Sequence, residues 1–282
     1  MFTDKFLLGA NIFGILAAIC SAFSIIFPDW LTSSSERNLE APVLHDVVLD
    51  NLSYRSWASP FSEVLLVSYH VALCCFVVFH QRRFVIARRY FLTLIIGFSF
   101  RIVCIWCNVL PRSHYTMECS PKARNFFEIV NRVVILHAAA GMSILGGRMC
   151  GNYFFSGHAL MVTNIHCLLS YYLPTEYKFL RRLSTLVAIL ILLTILMAHN
   201  HYTIDILGSF AVGSLTFSIF TFLAENPQCR SIFPLPIWSP IMWFEREGER
   251  IEYKMESVRN LFRELAFIIW DTVCVCRRFT LA

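Results

Sequence analysis

Charge is what this chain has least of. Only 15% of its 282 residues are Asp, Glu, Lys or Arg, where soluble chains carry about a quarter. Together with 57% apolar residues and a mean hydropathy of +0.59, this excludes an ordinary soluble domain and indicates an integral membrane protein. Basic residues outnumber acidic ones, for a net charge of +5. They lie in short clusters beside apolar runs, so no nucleic-acid partner is expected. A zinc pattern is missing as well. Cys104 and Cys107 form a CxxC within an apolar segment, with no second pair at metal spacing, and core packing is the expectation there. Cys119 and Cys150 are the pair able to meet on the non-cytoplasmic side, where a disulfide is chemically allowed.

Phenylalanine is abundant, with 26 residues, as suits side chains facing lipid or packing between helices. The expected fold class is all-α. It is a polytopic membrane protein with six transmembrane helices, at 6–27, 61–79, 90–110, 154–173, 183–198 and 204–223, plus an amphipathic helix on the outer face. Residues 1–224 form a six-span catalytic membrane domain, and 225–282 a cytoplasmic tail. The stretch before the first span is short and polar, so a retained helix is expected rather than a cleaved signal.

Two connectors set the orientation. Arg82, Arg83, Arg88 and Arg89 follow the second span, and Lys178, Arg181 and Arg182 follow the fourth. Both belong in the cytoplasm. The acidic loop 28–60, which carries the sequon Asn51-Leu52-Ser53, then faces the lumen or exterior. The segment 111–151 is interrupted by Glu128, Arg132 and His137 and loosened by glycines. It is expected to stay on that outer side, because a full span there would put the second basic connector on the wrong face. The tail is in part an amphipathic surface helix. Cys274 and Cys276 beside Arg277 and Arg278 are either S-palmitoylation sites or unmodified cysteines.

Two histidine-centred clusters fall at the outer interface: Ser156-Gly157-His158 opening the fourth span, and His201 to Asp205 preceding the sixth. A His and an Asp four positions apart share one helical face, so Asp205 can orient the imidazole of His201. Neutral imidazole is a competent nucleophile towards phosphorus, and a carboxylate stabilises the cation that forms. His158 can exchange a proton with leaving and incoming alcohols. Amides near Gly157 suit phosphate oxygens. Arg101, inside the third span, either snorkels, pairs within the bundle or meets substrate. Arg148 is the other candidate cation. Ser156 and Tyr202 complete the candidate substrate-binding set. A lone interfacial His is most often just a hydrogen-bonding residue; two, with an Asp at helical spacing, favour function.

The motifs CGNYFFSGH and HNHYTID resemble the third and fourth signatures of the sphingomyelin synthase family, within the lipid phosphate phosphatase superfamily. The resemblance runs from about Pro28 through Arg101 to the end of the sixth span. It implies a six-span protein of the Golgi or plasma membrane, with both termini cytoplasmic and the site facing the lumen or exterior. It implies transfer of phosphocholine from phosphatidylcholine to the primary hydroxyl of ceramide, through a phosphohistidine-type intermediate, with diacylglycerol released. His201 would be nucleophile, Asp205 its partner and His158 the acid–base group, with Glu128 assisting His158. No metal or other cofactor is implied. Lipids are the expected partners, and a homo-oligomer is open.

Asn152, Asn200 and Ala159 stand where the family usually has Asp, Asp and Thr. Two lost carboxylates weaken an anionic surface for a quaternary ammonium group, which leaves choline and ethanolamine both open. The short N-terminus has no room for the interaction domain of the ethanolamine-phosphate branch, which favours choline. A lipid phosphatase or phospholipase C-like hydrolase, and a non-enzymatic lipid-binding homologue, are the alternatives. The phosphatases' basic first motif is absent, and intact His158, His201 and Asp205 oppose the second.

Overall fold

A computed structural model describes residues 42–108, 110–115 and 154–226, with single positions at 125, 127–128, 130–131 and 134–135. Six helices carry the architecture: α1 (Val47–Asn51), α2 (Ala58–Phe79), α3 (Arg83–Cys107), α4 (Gly157–Tyr172), α5 (Lys178–Met197) and α6 (Thr203–Glu225). The described residues are all-helical. Four of these helices (α2, α3, α5 and α6) are long and apolar enough to cross a membrane. At 20 to 25 residues each and 1.5 Å per residue they reach about 30–38 Å.

The burial pattern is that of an integral membrane protein. Val64, Val71, Phe100, Val103, Leu186 and Leu207 face outward, while Ser62, Glu63, Thr93, Arg101, Ser184 and Asp205 are buried. Lipid accepts the large apolar side chains at no cost, whereas polar groups must be satisfied inside the bundle. Tyr69 and Ser184 are joined by a 2.6 Å hydrogen bond, the Thr93 hydroxyl donates to Asn164 Oδ1 at 2.9 Å, and the Arg89 guanidinium donates to Tyr172 at 2.5 Å.

The spans differ from the sequence expectation at their ends. α3 begins at Arg83, seven residues before the expected 90, so Arg83, Arg88 and Arg89 are helical and not part of a connector; Arg88 and Arg89 are buried. α5 likewise starts at Lys178 and takes in Arg181 and Arg182. Long basic side chains let a helix continue past its apolar stretch. The fourth expected span contracts from 154–173 to Gly157–Tyr172, because Ser156 caps the helix and Phe154–Phe155 are bent. The expected first span 6–27, Arg148, Cys119, Cys150, Cys274, Cys276 and the tail lie outside the described residues.

α4 is short yet central: it packs against α2, α3, α5 and α6. Close approach to α3 and α6 depends on two glycines. A Cβ on Gly97 would fall 2.8 Å from Leu160, and one on Gly213 3.1 Å from Thr163. The residues after α3 meet the HNHYT turn, and those before α4 meet the first turn of α6. The Ser113 hydroxyl donates to His199 O at 2.5 Å, and Ser156 N–H donates to Asp205 O at 3.3 Å. Ser113 and Ser156 therefore lie at the same end of the bundle. Residues 127–128, 130–131 and 134–135 between them are helical.

Candidate functional site

The N-termini of α4 and α6 meet. Ser156 and Asp205, 49 positions apart, are joined by the amide-to-carbonyl bond just described, and the Ser209 hydroxyl lies 2.8 Å from Ser156 O and 2.7 Å from Asp205 O. One hydroxyl hydrogen thus serves carbonyls on both helices. This brings the Ser156-Gly157-His158 cluster and the His201–Asp205 cluster to the same end of the bundle and the same level. α3 supplies the third wall. Arg101, 4% exposed, donates from Nε to Phe155 O at 2.6 Å, and a Cβ on Gly157 would come within 3.8 Å of that same nitrogen. Arg101 thus pairs inside the bundle through Nε and does not snorkel.

Asp205 is fully buried. Its Oδ2 accepts the Tyr202 N–H at 3.0 Å and lies 3.6 Å from His201 Nδ1. Its Oδ1 takes no hydrogen bond among the described residues, and its charge is felt by Arg101. The helical-face argument that paired His201 with Asp205 needs correction in form. His201 precedes the N-cap residue Tyr202 and is not helical. The pair forms because Asp205, at the third helical position, folds back over the helix start as a capping carboxylate does. His201 itself is nearly buried, with 12% of its side chain exposed.

Around this junction the HNHYT turn is held from several sides. His199 has φ 48°, a left-handed conformation that His tolerates better than most residues. Its Nε2 donates to Leu52 O at 2.9 Å, and its ring meets His114 edge-on, with centroids 5.1 Å apart. Burial, then the nearby His199, pushes the His114 pKa below its ordinary value. Asn200, where a carboxylate was the family expectation, donates from Nδ2 to Ser59 Oγ at 3.1 Å.

Tyr202 is 2% exposed; its hydroxyl donates to Arg112 O at 2.9 Å and accepts from Leu44 N at 3.2 Å. Burial first, then the Asp205 and Asp46 charges, raise its pKa, against the lowering effect of the Leu44 bond. Ser156 is buried and its hydroxyl accepts from Ala159 N at 3.3 Å as the α4 cap. Both side chains are thus occupied in shaping the junction. His158 and Gly157 are half-buried on the first turn of α4. Glu128 is half-buried on the helical stretch after α3, its N–H donating to Asn125 Oδ1 at 2.9 Å.

Residues 149–222 match the model of the PAP2 superfamily C-terminal family, a stretch that contains α4, α5 and nearly all of α6. The chain is similar to proteins named as sphingomyelin synthases. It is 29% identical over 215 residues to sphingomyelin synthase-related 1 of Caenorhabditis elegans, covering 74% of this chain and 44% of that protein. It is 26% identical over 247 residues to phosphatidylcholine:ceramide cholinephosphotransferase 1 of the same organism, covering 84% and 52%. Human sphingomyelin synthase-related protein 1 is 27% identical over 208 residues, covering 72% and 49%. The chain spans about half the length of these relatives.

Two acidic residues near this junction were not expected from the sequence. Glu63 is 5% exposed on α2, one turn below Ser59. An acidic residue within a span was itself the signal, since such residues are costly and tend to be functional. Asp46 reaches α6 from the loop before α1, and nothing short of the tertiary structure announces that.

Proposed function

We propose that the chain is a phosphotransferase that moves phosphocholine from phosphatidylcholine to the primary hydroxyl of ceramide, giving sphingomyelin and diacylglycerol. The observation that carries this is the Ser156–Asp205–Ser209 junction, which puts the His158 and His201 clusters at one end of the bundle. The similarity to proteins named as cholinephosphotransferases supports it.

In the first step the His201 nitrogen remote from Asp205 attacks phosphorus. The phosphorus–oxygen bond to diacylglycerol breaks, and that oxygen takes a proton from His158. In the second, the ceramide hydroxyl attacks the phosphorus and gives its proton to His158, while the phosphorus–nitrogen bond breaks and frees His201. Asp205 holds the His201 ring and stabilises its cationic form. Arg101 and Arg148 offset phosphate charge, Glu128 supports His158, and the amides at the start of α4 face the phosphate oxygens. The site opens to the lumenal or extracellular side of a Golgi or plasma membrane, with the tail after α6 cytoplasmic.

Purified protein supplied with labelled phosphatidylcholine and ceramide is expected to make labelled sphingomyelin, and His201→Ala to abolish it. Release of free phosphocholine without sphingomyelin would assign a hydrolase instead. Product formation equal to wild type in His201→Ala would remove the nucleophile.

A further inference from the structure

Asp46 is bound to a helix 157 positions away. Its Oδ2 accepts the Thr203 N–H at 2.7 Å, and its Oδ1 accepts the Thr203 hydroxyl at 2.8 Å. The same Oδ1 caps α1, taking Val48 N at 3.0 Å and Leu49 N at 3.2 Å. Burial would raise the carboxyl pKa, but hydrogen bonds from Thr203, Leu49 and Val48 outweigh it, so the group lies below its ordinary value. It is an anion under any ordinary assay condition.

Thr203 is the first residue of α6, where backbone N–H groups have no partner within the helix. Two carboxylates therefore hold two successive amides: Asp205 takes that of Tyr202, and Asp46 that of Thr203. The residue immediately before this pair is His201. Fixing both amides restricts the path of the backbone as it leaves His201, and with it the position from which the imidazole projects. The other hydrogen bonds from the same loop to this turn and its flanks, Leu44 N to the Tyr202 hydroxyl, Arg55 N to Met197 O, His199 Nε2 to Leu52 O and Asn200 Nδ2 to Ser59 Oγ, involve no carboxylate. Charge-assisted hydrogen bonds are about twice as strong as these.

We propose that Asp46 is a positioning residue for His201: through Thr203 it sets the approach of the imidazole to phosphorus without touching the lipid. The inference rests on the phosphotransfer proposed above, and it adds a residue from the acidic loop to that machinery.

Asp46→Asn isolates the effect. Asn is as good a helix cap as Asp, so α1 is retained with Oδ1 in place, but the amide NH2 then stands where Oδ2 accepts the Thr203 N–H, and that bond is lost. The full chain in lipid–detergent micelles is assayed as wild type, Asp46→Asn, Thr203→Val and Thr203→Ser. A small misplacement of a reacting group costs up to about 100-fold. We expect kcat to fall about tenfold or more in Asp46→Asn, with the KM for both lipids within about twofold. Thr203→Val falls partway, and Thr203→Ser, which keeps the hydroxyl, recovers most of kcat. Hydrogen exchange of peptides covering 199–206 quickens in Asp46→Asn. An active wild type whose Asp46→Asn form keeps its kcat, or whose loss appears in KM instead, overturns the positioning role alone. A wild type inert towards every donor and acceptor overturns the phosphotransfer reading and this role with it.

Discussion

Replacing Arg101 with Met tests the electrostatics of the helix junction. The guanidinium is 4% exposed, donates to Phe155 O at 2.6 Å and feels the charge of the fully buried Asp205. Met keeps the stem and removes the charge. A hydrogen bond from a charged donor contributes about 1.5–3 kcal/mol, and stripping one partner from a buried pair costs about 3–5 kcal/mol. These overlap, since one guanidinium both makes the Phe155 bond and offsets the Asp205 charge, so a net loss of about 3 kcal/mol is the working figure. At about 2–4 °C per kcal/mol for a chain of this size, the melting temperature in detergent should fall by about 6–12 °C. Thermal unfolding of Arg101→Met, Asp205→Asn and the double variant forms the assay. If the Asp205 charge is what suffers, neutralising it recovers part of the loss, with a coupling of about 1 kcal/mol or more. A drop within 1 °C of zero (about 0.3–0.5 kcal/mol), or strict additivity, refutes the account.

Other outcomes follow from particular contacts. Gly213→Ala should destabilise more than Gly97→Ala, although the Cβ on Gly97 meets the shorter distance. Leu160 can swing its methyl groups aside, whereas Thr163 is β-branched and stiff; equal melting temperatures for the two variants would contradict this. His80, just past α2, is fully buried, and burial, then the Arg82 charge, lowers its pKa from 6.5 to about 4. The unfolded chain takes up this proton near pH 6.5 and the folded one only near 4. Stability should therefore fall as pH drops through that window, by up to about 3 kcal/mol. The difference in melting temperature between wild type and His80→Gln should change between pH 7 and 4; a flat difference would refute it.

The class of protein was written in composition, because lipid-facing helices need apolar residues whatever their order. The histidine clusters were legible because each is local: Ser156 caps the helix whose first turn carries His158, and Asp205 folds back on the turn that holds His201. Helix ends were misplaced where arginine and lysine continue a helix beyond its apolar core, as at Arg83 and Lys178. Contacts between distant segments left no periodic trace. Arg101 offered three roles, and its bond to the distant Phe155 carbonyl, which pairs it inside the bundle, could not be read from the sequence. Asp46 looked like one more acid in an acidic loop, since its partner Thr203 is 157 positions downstream.

α4 is enclosed by four neighbours along its length, and the two histidine clusters sit where its N-terminus meets that of α6. In the reaction proposed above, a double-tailed lipid would reach them from the side, its head at that level and its tails in the adjoining half of the bilayer. Donor, acceptor and product of that reaction would then share one leaflet.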